Sequence, residues 1–161
     1  ATYPRAAHNR SEILALLITP MEQAICLLSG ELMKVIILDD SRTDSYLATQ
    51  VAKNYFDEVE VYGTPSEFHA SLKREPHPDL MLMDVHIGDL HNGIGELANI
   101  KEQYNSASFI PIIIVTASTD SALHELAMSN GADAVIVKPI NKEKLEPILR
   151  DLLPQIEFGS E

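Results

Sequence analysis

The chain has 161 residues, 45% of them hydrophobic, which is one domain's worth of sequence with ample apolar material for a buried core. Its formal net charge of −12 excludes phosphate-backbone binding by the chain itself, because nucleic-acid affinity rests on clustered Lys and Arg. A lone cysteine, Cys26, excludes an intrachain disulfide, and no apolar run approaches the ~20 residues that span a bilayer; the expectation is a cytoplasmic protein without membrane insertion.

Residues 11–18 are a short apolar stretch with helical character. Thr19-Pro20-Met21-Glu22 then has the capping-box form, with Thr19 as N-cap, proline at the first helical position and Glu22 reaching back, which predicts a helix over 20–29 ended near Gly30. Residues 1–32 therefore read as an N-terminal helical extension or an expression-derived addition. Residues 154–161 read as a C-terminal tail.

From Met33 the pattern alternates. Strands are predicted at 35–38, 59–62, 80–83, 112–115 and 134–137, and helices at 42–54, 65–74, 93–104, 119–129 and 142–153. All the strands except the second are continuously apolar, as strands covered on both faces are. Five β-then-α units predict an α/β fold with a doubly wound parallel sheet and helices on both faces. Asn130-Gly131 has the form of a left-handed C-cap, and Asn141 that of an N-cap. Pro147 removes a donor inside the last helical pattern and predicts a kink or a late helix start.

Polar signals punctuate the strands. Asp39-Asp40 follows the first, Asp84 ends the third, Thr116 the fourth and Lys138-Pro139 the fifth. Each alone reads as a helix cap or a solvated loop residue. An open parallel sheet, however, gathers the carboxyl ends of its strands into one crevice. Three carboxylates meeting there repel one another, and a divalent cation is the usual relief; oxygen-only donors favour Mg²⁺. Lys138 adds a point positive charge and Thr116 a hydroxyl, with small Ala117 and Ser118 letting backbone amides approach an oxyanion. These are the parts of an in-line phosphoryl transfer onto Asp, whose product is an acyl phosphate.

The ordered set, over residues 33–153, resembles the receiver domain of a two-component response regulator, with a chemotaxis-regulator-like fold. The resemblance implies a flavodoxin-like strand order 2-1-3-4-5. It implies Asp84 as phosphoacceptor, with Mg²⁺ held by Asp39, Asp40, Asp84 and the main-chain carbonyl of His86. Phosphoryl contacts then come from Lys138, Thr116 and Ala117, Thr116 moves as the switch, and Lys138-Pro139 is often cis. A sensor histidine kinase or a histidine phosphotransfer protein is the implied donor. An output protein or domain acts downstream, with a homodimer as one assembly.

Two departures from the family pattern stand out. Where receivers usually carry Tyr or Phe three residues before the lysine, this chain has Val135, a β-branched side chain that cannot swing as a ring does. Gly88 replaces a common proline and Gly93 comes one residue late, which predicts a longer, more pliant loop. His86 and Ser118 occupy the positions that tune loss of the acyl phosphate.

The functional expectation is a phosphoacceptor signalling module that is not a turnover enzyme, either standing alone or belonging to a longer protein. A phosphohydrolase is the enzymatic alternative, but it needs its nucleophile on the first strand with a second acid two residues on, which Asp39-Asp40-Ser41 lacks. A degenerate receiver serving as a binding scaffold is the other. His86 and His91, interleaved with Asp84 and Asp89, raise a transition-metal site, though loop histidines at this spacing read first as polar surface. His69, His77 and His124 read as surface residues.

Overall fold

The computed structural model describes residues 20–21, 32–87, 91–103, 110–156 and 158. Pro20 and Met21 are helical, and the rest of the two predicted N-terminal helices, Thr19 and Glu22 included, lies outside the described residues, as do Gly88 and Asp89. The chain divides into two compact units, Ala1–Leu32 and Met33–Glu161.

The second unit alternates strand and helix in the predicted order. It runs β1 (Lys34–Leu38), α1 (Arg42–Ala52), β2 (Glu58–Tyr62), α2 (Pro65–Leu72), β3 (Leu80–Asp84), α3 (Gly93–Gln103), β4 (Ile112–Thr116), α4 (Ser121–Ser129), β5 (Ala134–Val137) and α5 (Lys142–Leu152). All five strands are parallel, in the order β2-β1-β3-β4-β5. Every residue of β1, β3 and β4 is buried, while β2 and β5 at the edges are only partly so. That is why three of the four continuously apolar runs fall in the middle of the sheet, the fourth being the edge strand β5.

Alternating strand positions feed two separate cores. One joins Ile36, Leu38, Met81, Met83, Ile112 and Ile114 to Phe68, Leu72, Leu97, Ile100 and Ala127 of α2, α3 and α4. The other joins Val35, Ile37, Leu80, Leu82, Ile113 and Val115 to Ala48 and Ala52 of α1 and Leu145 and Leu149 of α5.

Three acids set the register at the amino ends of the strands. Asp57, Asp79 and Asp133 each precede a strand by one residue, and each carboxylate accepts from a main-chain N–H at the start of the neighbouring strand: Met33 at 2.8 Å, Lys34 at 2.9 Å and Ile112 at 2.8 Å. The same three residues return their own N–H to the carbonyls of Met33, Lys34 and Ile112, each at 2.8 Å. The reciprocal pair satisfies donors that would otherwise be orphaned where the ladder begins.

The helices start on side-chain caps at Ser41, Thr64, Asp120 and Asn141. α5 begins directly after Asn141 and continues through Pro147, so the late start predicted from that proline does not occur. Only the Glu143 carbonyl in the first turn loses an intrahelical partner to it.

α4 ends as its sequence predicts. Gly131 has φ +107°, Ala132 N–H donates to Ala127 O at 3.1 Å and Gly131 N–H to Met128 O at 3.2 Å, a Schellman closure. An alanine there would be strained in the left-handed region and would push against the Lys101 side chain at 3.3 Å. Gly131→Ala is expected to lower stability by about 1 kcal/mol or more, read as a lower urea midpoint with an unchanged slope.

The loop after β3 carries a pairing that its sequence does not signal. Its limbs pair with each other as a two-residue antiparallel ribbon, His86 opposite Asn92 and Ile87 opposite His91. The expected lengthening at Gly88 falls outside the described residues.

Candidate functional site

The crevice forms where the carboxyl ends of β1, β3, β4 and β5 come together. Asp39 is buried directly after β1, its N–H bonded to Tyr62 O at 3.1 Å as an extension of the β1–β2 ladder. Its Oδ1 accepts from Ser41 N–H at 2.8 Å. Asp40, next to it, is exposed. Asp84 is the last residue of β3, also buried, with Oδ1 accepting from His86 N–H at 3.3 Å. Carboxylate oxygens of Asp39, Asp40 and Asp84 all lie within 4.8 Å of one another.

Lys138 crosses this group from the end of β5. Its Nζ lies 3.1 Å from Asp39 Oδ2, 3.3 Å from Asp84 Oδ2 and 2.8 Å from Asp44 Oδ2. Its main-chain N–H donates to Thr116 O at 2.7 Å, and the peptide bond to Pro139 is cis. Burial opposes the Lys138 charge, but the hydrogen bonds it donates to Asp44 and Asp39 outweigh that and raise the pKa above the ordinary lysine value. Burial is the largest influence on Asp39 and pushes its carboxyl up; the Ser41 N–H and Lys138 pull it back, and the nearby Asp84 charge adds to the rise. Both shifts describe an anionic pocket held together by one cation.

Thr116 is fully buried at the end of β4, its Oγ1 accepting from Ser118 N–H at 3.1 Å. Ala117 is exposed and Ser118 half-buried. The Ser118 carbonyl lies 2.8 Å from His124 Nε2, so α4 is pinned to the loop that follows Thr116. Val135, on β5, is partly buried against the core shared with α4. The exposed side chain of His86 stands at the mouth of the loop after β3.

All five sequence signals therefore reach one crevice, and Asp44 is the member that sequence reasoning missed. Its signal was the spacing Ser41-x-x-Asp44, which marks a helix start but not a lysine partner 94 residues away. The three histidines read as surface are half-buried and engaged: His69 Nε2 lies 2.5 Å from Glu96, His77 Nε2 2.9 Å from Glu75, and His124 holds Ser118. Among the described residues, Asp39, Asp40 and Asp84 are the group of ligating side chains close enough to share an ion; the side chains of Asp89 and His91 lie outside those residues.

Comparison with known proteins agrees with the geometry. Residues 35–150 match the family model of the response regulator receiver domain. The DNA-binding response regulator MtrA of Mycolicibacterium smegmatis is 27% identical over 124 residues, 77% of this chain and 52% of that protein, so the chain spans about half the length of such curated relatives. Two solved structures superpose closely. A CheY-like response regulator receiver domain protein from Methanospirillum hungatei JF-1 has a TM-score of 0.64 at 26% identity, covering 78% of this chain and 97% of the other. The N-terminal signal receiver domain of a two-component response regulator from Bacteroides fragilis has 0.65 at 28%, covering 76% and 97%. With its acidic crevice, crossing lysine and buried threonine on a 2-1-3-4-5 parallel sheet, the chain belongs to the response regulator receiver domain family and is a phosphoacceptor signalling module.

Proposed function

We propose that Asp84 is the phosphoacceptor and that residues 33–153 form the receiver, with Ile156 and Phe158 of the tail from 154 packed on its second core and the segment 1–32 outside it. The observation that carries this is Lys138 Nζ, held within 3.3 Å of both Asp84 and Asp39 in a crevice closed by Thr116. An Asp84 carboxylate oxygen attacks the phosphorus of a phosphohistidine in line. The P–N bond breaks as the O–P bond forms, and the imidazole released takes a proton from solvent. Lys138 and the Thr116 hydroxyl, with the Ala117 main chain, stabilise the charge on the transferred group.

The donor is a sensor histidine kinase or a histidine phosphotransfer protein, and the output is a partner protein, an attached domain or a second copy of the chain. Thr116 turning toward the phosphoryl group draws on the loop that His124 ties to α4, so the charge change is passed to that helix. Val135 takes a passive part in this switch, and His86 and Ser118 border the route of attacking water. Among the described residues no helix is long and apolar enough to cross a membrane. The family reading supports a cytoplasmic location.

Mg²⁺ fits the donor set, three carboxylates within reach of one ion and no thiolate among them. Asp39, Asp40 and Asp84, with the His86 carbonyl, would hold it; once bound it supplies positive charge that offsets the phosphoryl oxygens. A ligand that binds only the folded state adds about 2.7 kcal/mol of stability at roughly 100 times its dissociation constant. Mg²⁺ is therefore expected to raise the melting temperature of the wild type. Asp39→Asn, which removes one of the repelling charges, is expected to melt higher than wild type without Mg²⁺ and to lose most of the response to it.

Beryllofluoride with Mg²⁺ tests the reading as a whole. Amide resonances from Thr116 through α4 are expected to shift on its addition. An undisturbed spectrum would favour the scaffold alternative, and steady multiple turnover of p-nitrophenyl phosphate would favour the phosphohydrolase.

A further inference from the structure

Lys138 has one more partner than phosphoryl transfer uses. Its Nζ is nearer to Asp44, at 2.8 Å, than to Asp39 at 3.1 Å or Asp84 at 3.3 Å. Nζ donates hydrogen bonds to Asp44 and Asp39, while Asp84 is an ion-pair contact, so two of the three ammonium protons are committed, one of them to Asp44. Asp44 differs from the other two in standing at the rim: its side chain is 38% exposed, against 6% for Asp39 and 8% for Asp84.

The helix cap explains why Asp44 is available. In a capping box the acid at this position reaches back to the main-chain N–H of the N-cap residue. Here that N–H, on Ser41, is already taken by Asp39 Oδ1 at 2.8 Å, while Ser41 Oγ accepts from Asp44 N–H at 3.3 Å. The Asp44 carboxylate is released from that reciprocal bond and spans from the first turn of α1 to the end of β5.

The geometry points to Asp44 as a positioning residue that tethers Lys138 in the resting site and competes with the incoming phosphoryl group for its ammonium. This rests on the phosphoacceptor reading and deepens it. With two protons held by Asp44 and Asp39, bringing Nζ onto a phosphoryl oxygen of Asp84 draws it away from one of those two acids. Asp39 and Asp84 are buried and would be left without compensation, whereas water can replace Lys138 at Asp44. The rim acid is the one exchanged, and its hold on Lys138 sets how readily the activated site forms.

The test uses the full chain as wild type, Asp44→Asn and Asp44→Glu. Beryllofluoride is titrated at saturating Mg²⁺ and followed by amide NMR shifts, and the Lys138 side-chain ammonium resonance is recorded before any beryllofluoride is added. Asp44→Asn is expected to half-saturate at a concentration about two- to tenfold lower than wild type, with the Lys138 resonance already displaced. Asp44→Glu keeps the charge and the reach, and is expected within about twofold of wild type. A half-saturation in Asp44→Asn that is unchanged or higher, an unmoved Lys138 resonance, or an Asp44→Glu protein that behaves like Asp44→Asn would each overturn the tether. Failure of the wild type itself to bind beryllofluoride would instead bring down the phosphoacceptor reading beneath it.

Discussion

Acetyl phosphate with Mg²⁺ is expected to leave the intact mass of Asp84→Asn unchanged, whereas the wild type gains one phosphoryl group. The effect is all-or-none because the acceptor's part falls to Asp84 alone. Asp39, which like Asp84 has one oxygen on a main-chain N–H and the other beside Lys138, serves as a Mg²⁺ ligand in the proposed site. Asp40 is exposed, whereas Asp39 and Asp84, which Lys138 spans, are buried. Asn keeps nearly the shape of Asp but carries no anionic oxygen to attack phosphorus. Labelling of Asp84→Asn at the wild-type rate would mean that another acid is the acceptor.

Phe68→Ala is expected to lower unfolding stability by about 3–5 kcal/mol, the largest effect of any single truncation considered. Phe68 is fully buried in α2, and its ring meets Tyr62 of β2 edge-on at a centroid distance of 6.4 Å. Removing it opens a void between α2 and the sheet that backbone relaxation fills only in part. Tyr46→Ala is the control: its side chain is exposed on α1, and the change should stay within about 0.5 kcal/mol. Urea denaturation of both variants reads the contrast. A Phe68→Ala loss as small as that of Tyr46→Ala would contradict the packing of α2 described above.

Periodicity carried the fold. Runs such as Val35-Ile36-Ile37-Leu38 and Ile112-Ile113-Ile114-Val115 are apolar on both strand faces because both faces are covered by helices, and the structure buries them all. The site was legible because parallel strands put their last residues together, so an Asp, a Thr and a Lys at the ends of separate runs are brought to one crevice.

What was missed depends on contacts that no local pattern encodes. Asp44 looks like the acid of a helix cap, and only the meeting of α1 with the end of β5 makes it a lysine partner. The pairing of His69 with Glu96 joins α2 to α3 across 27 residues in the same way. The ribbon of His86–Ile87 with His91–Asn92 has two residues per strand, too few for an alternation to be read. Asp57, Asp79 and Asp133 precede strands where Asp39 and Asp84 follow or end them, and that difference in position separates acids that hold register from acids that gather in the crevice.

The position of the phosphoryl group decides whether the crevice works as described. Borohydride reduces an aspartyl phosphate to homoserine, so reducing the acetyl-phosphate-treated chain and mapping its peptides by mass spectrometry reads the acceptor directly. Homoserine at position 84 and at no other acid is the expected result. Homoserine at Asp39, Asp40 or Asp44, or its absence from a chain that had gained a phosphoryl group, would contradict Asp84 as the acceptor.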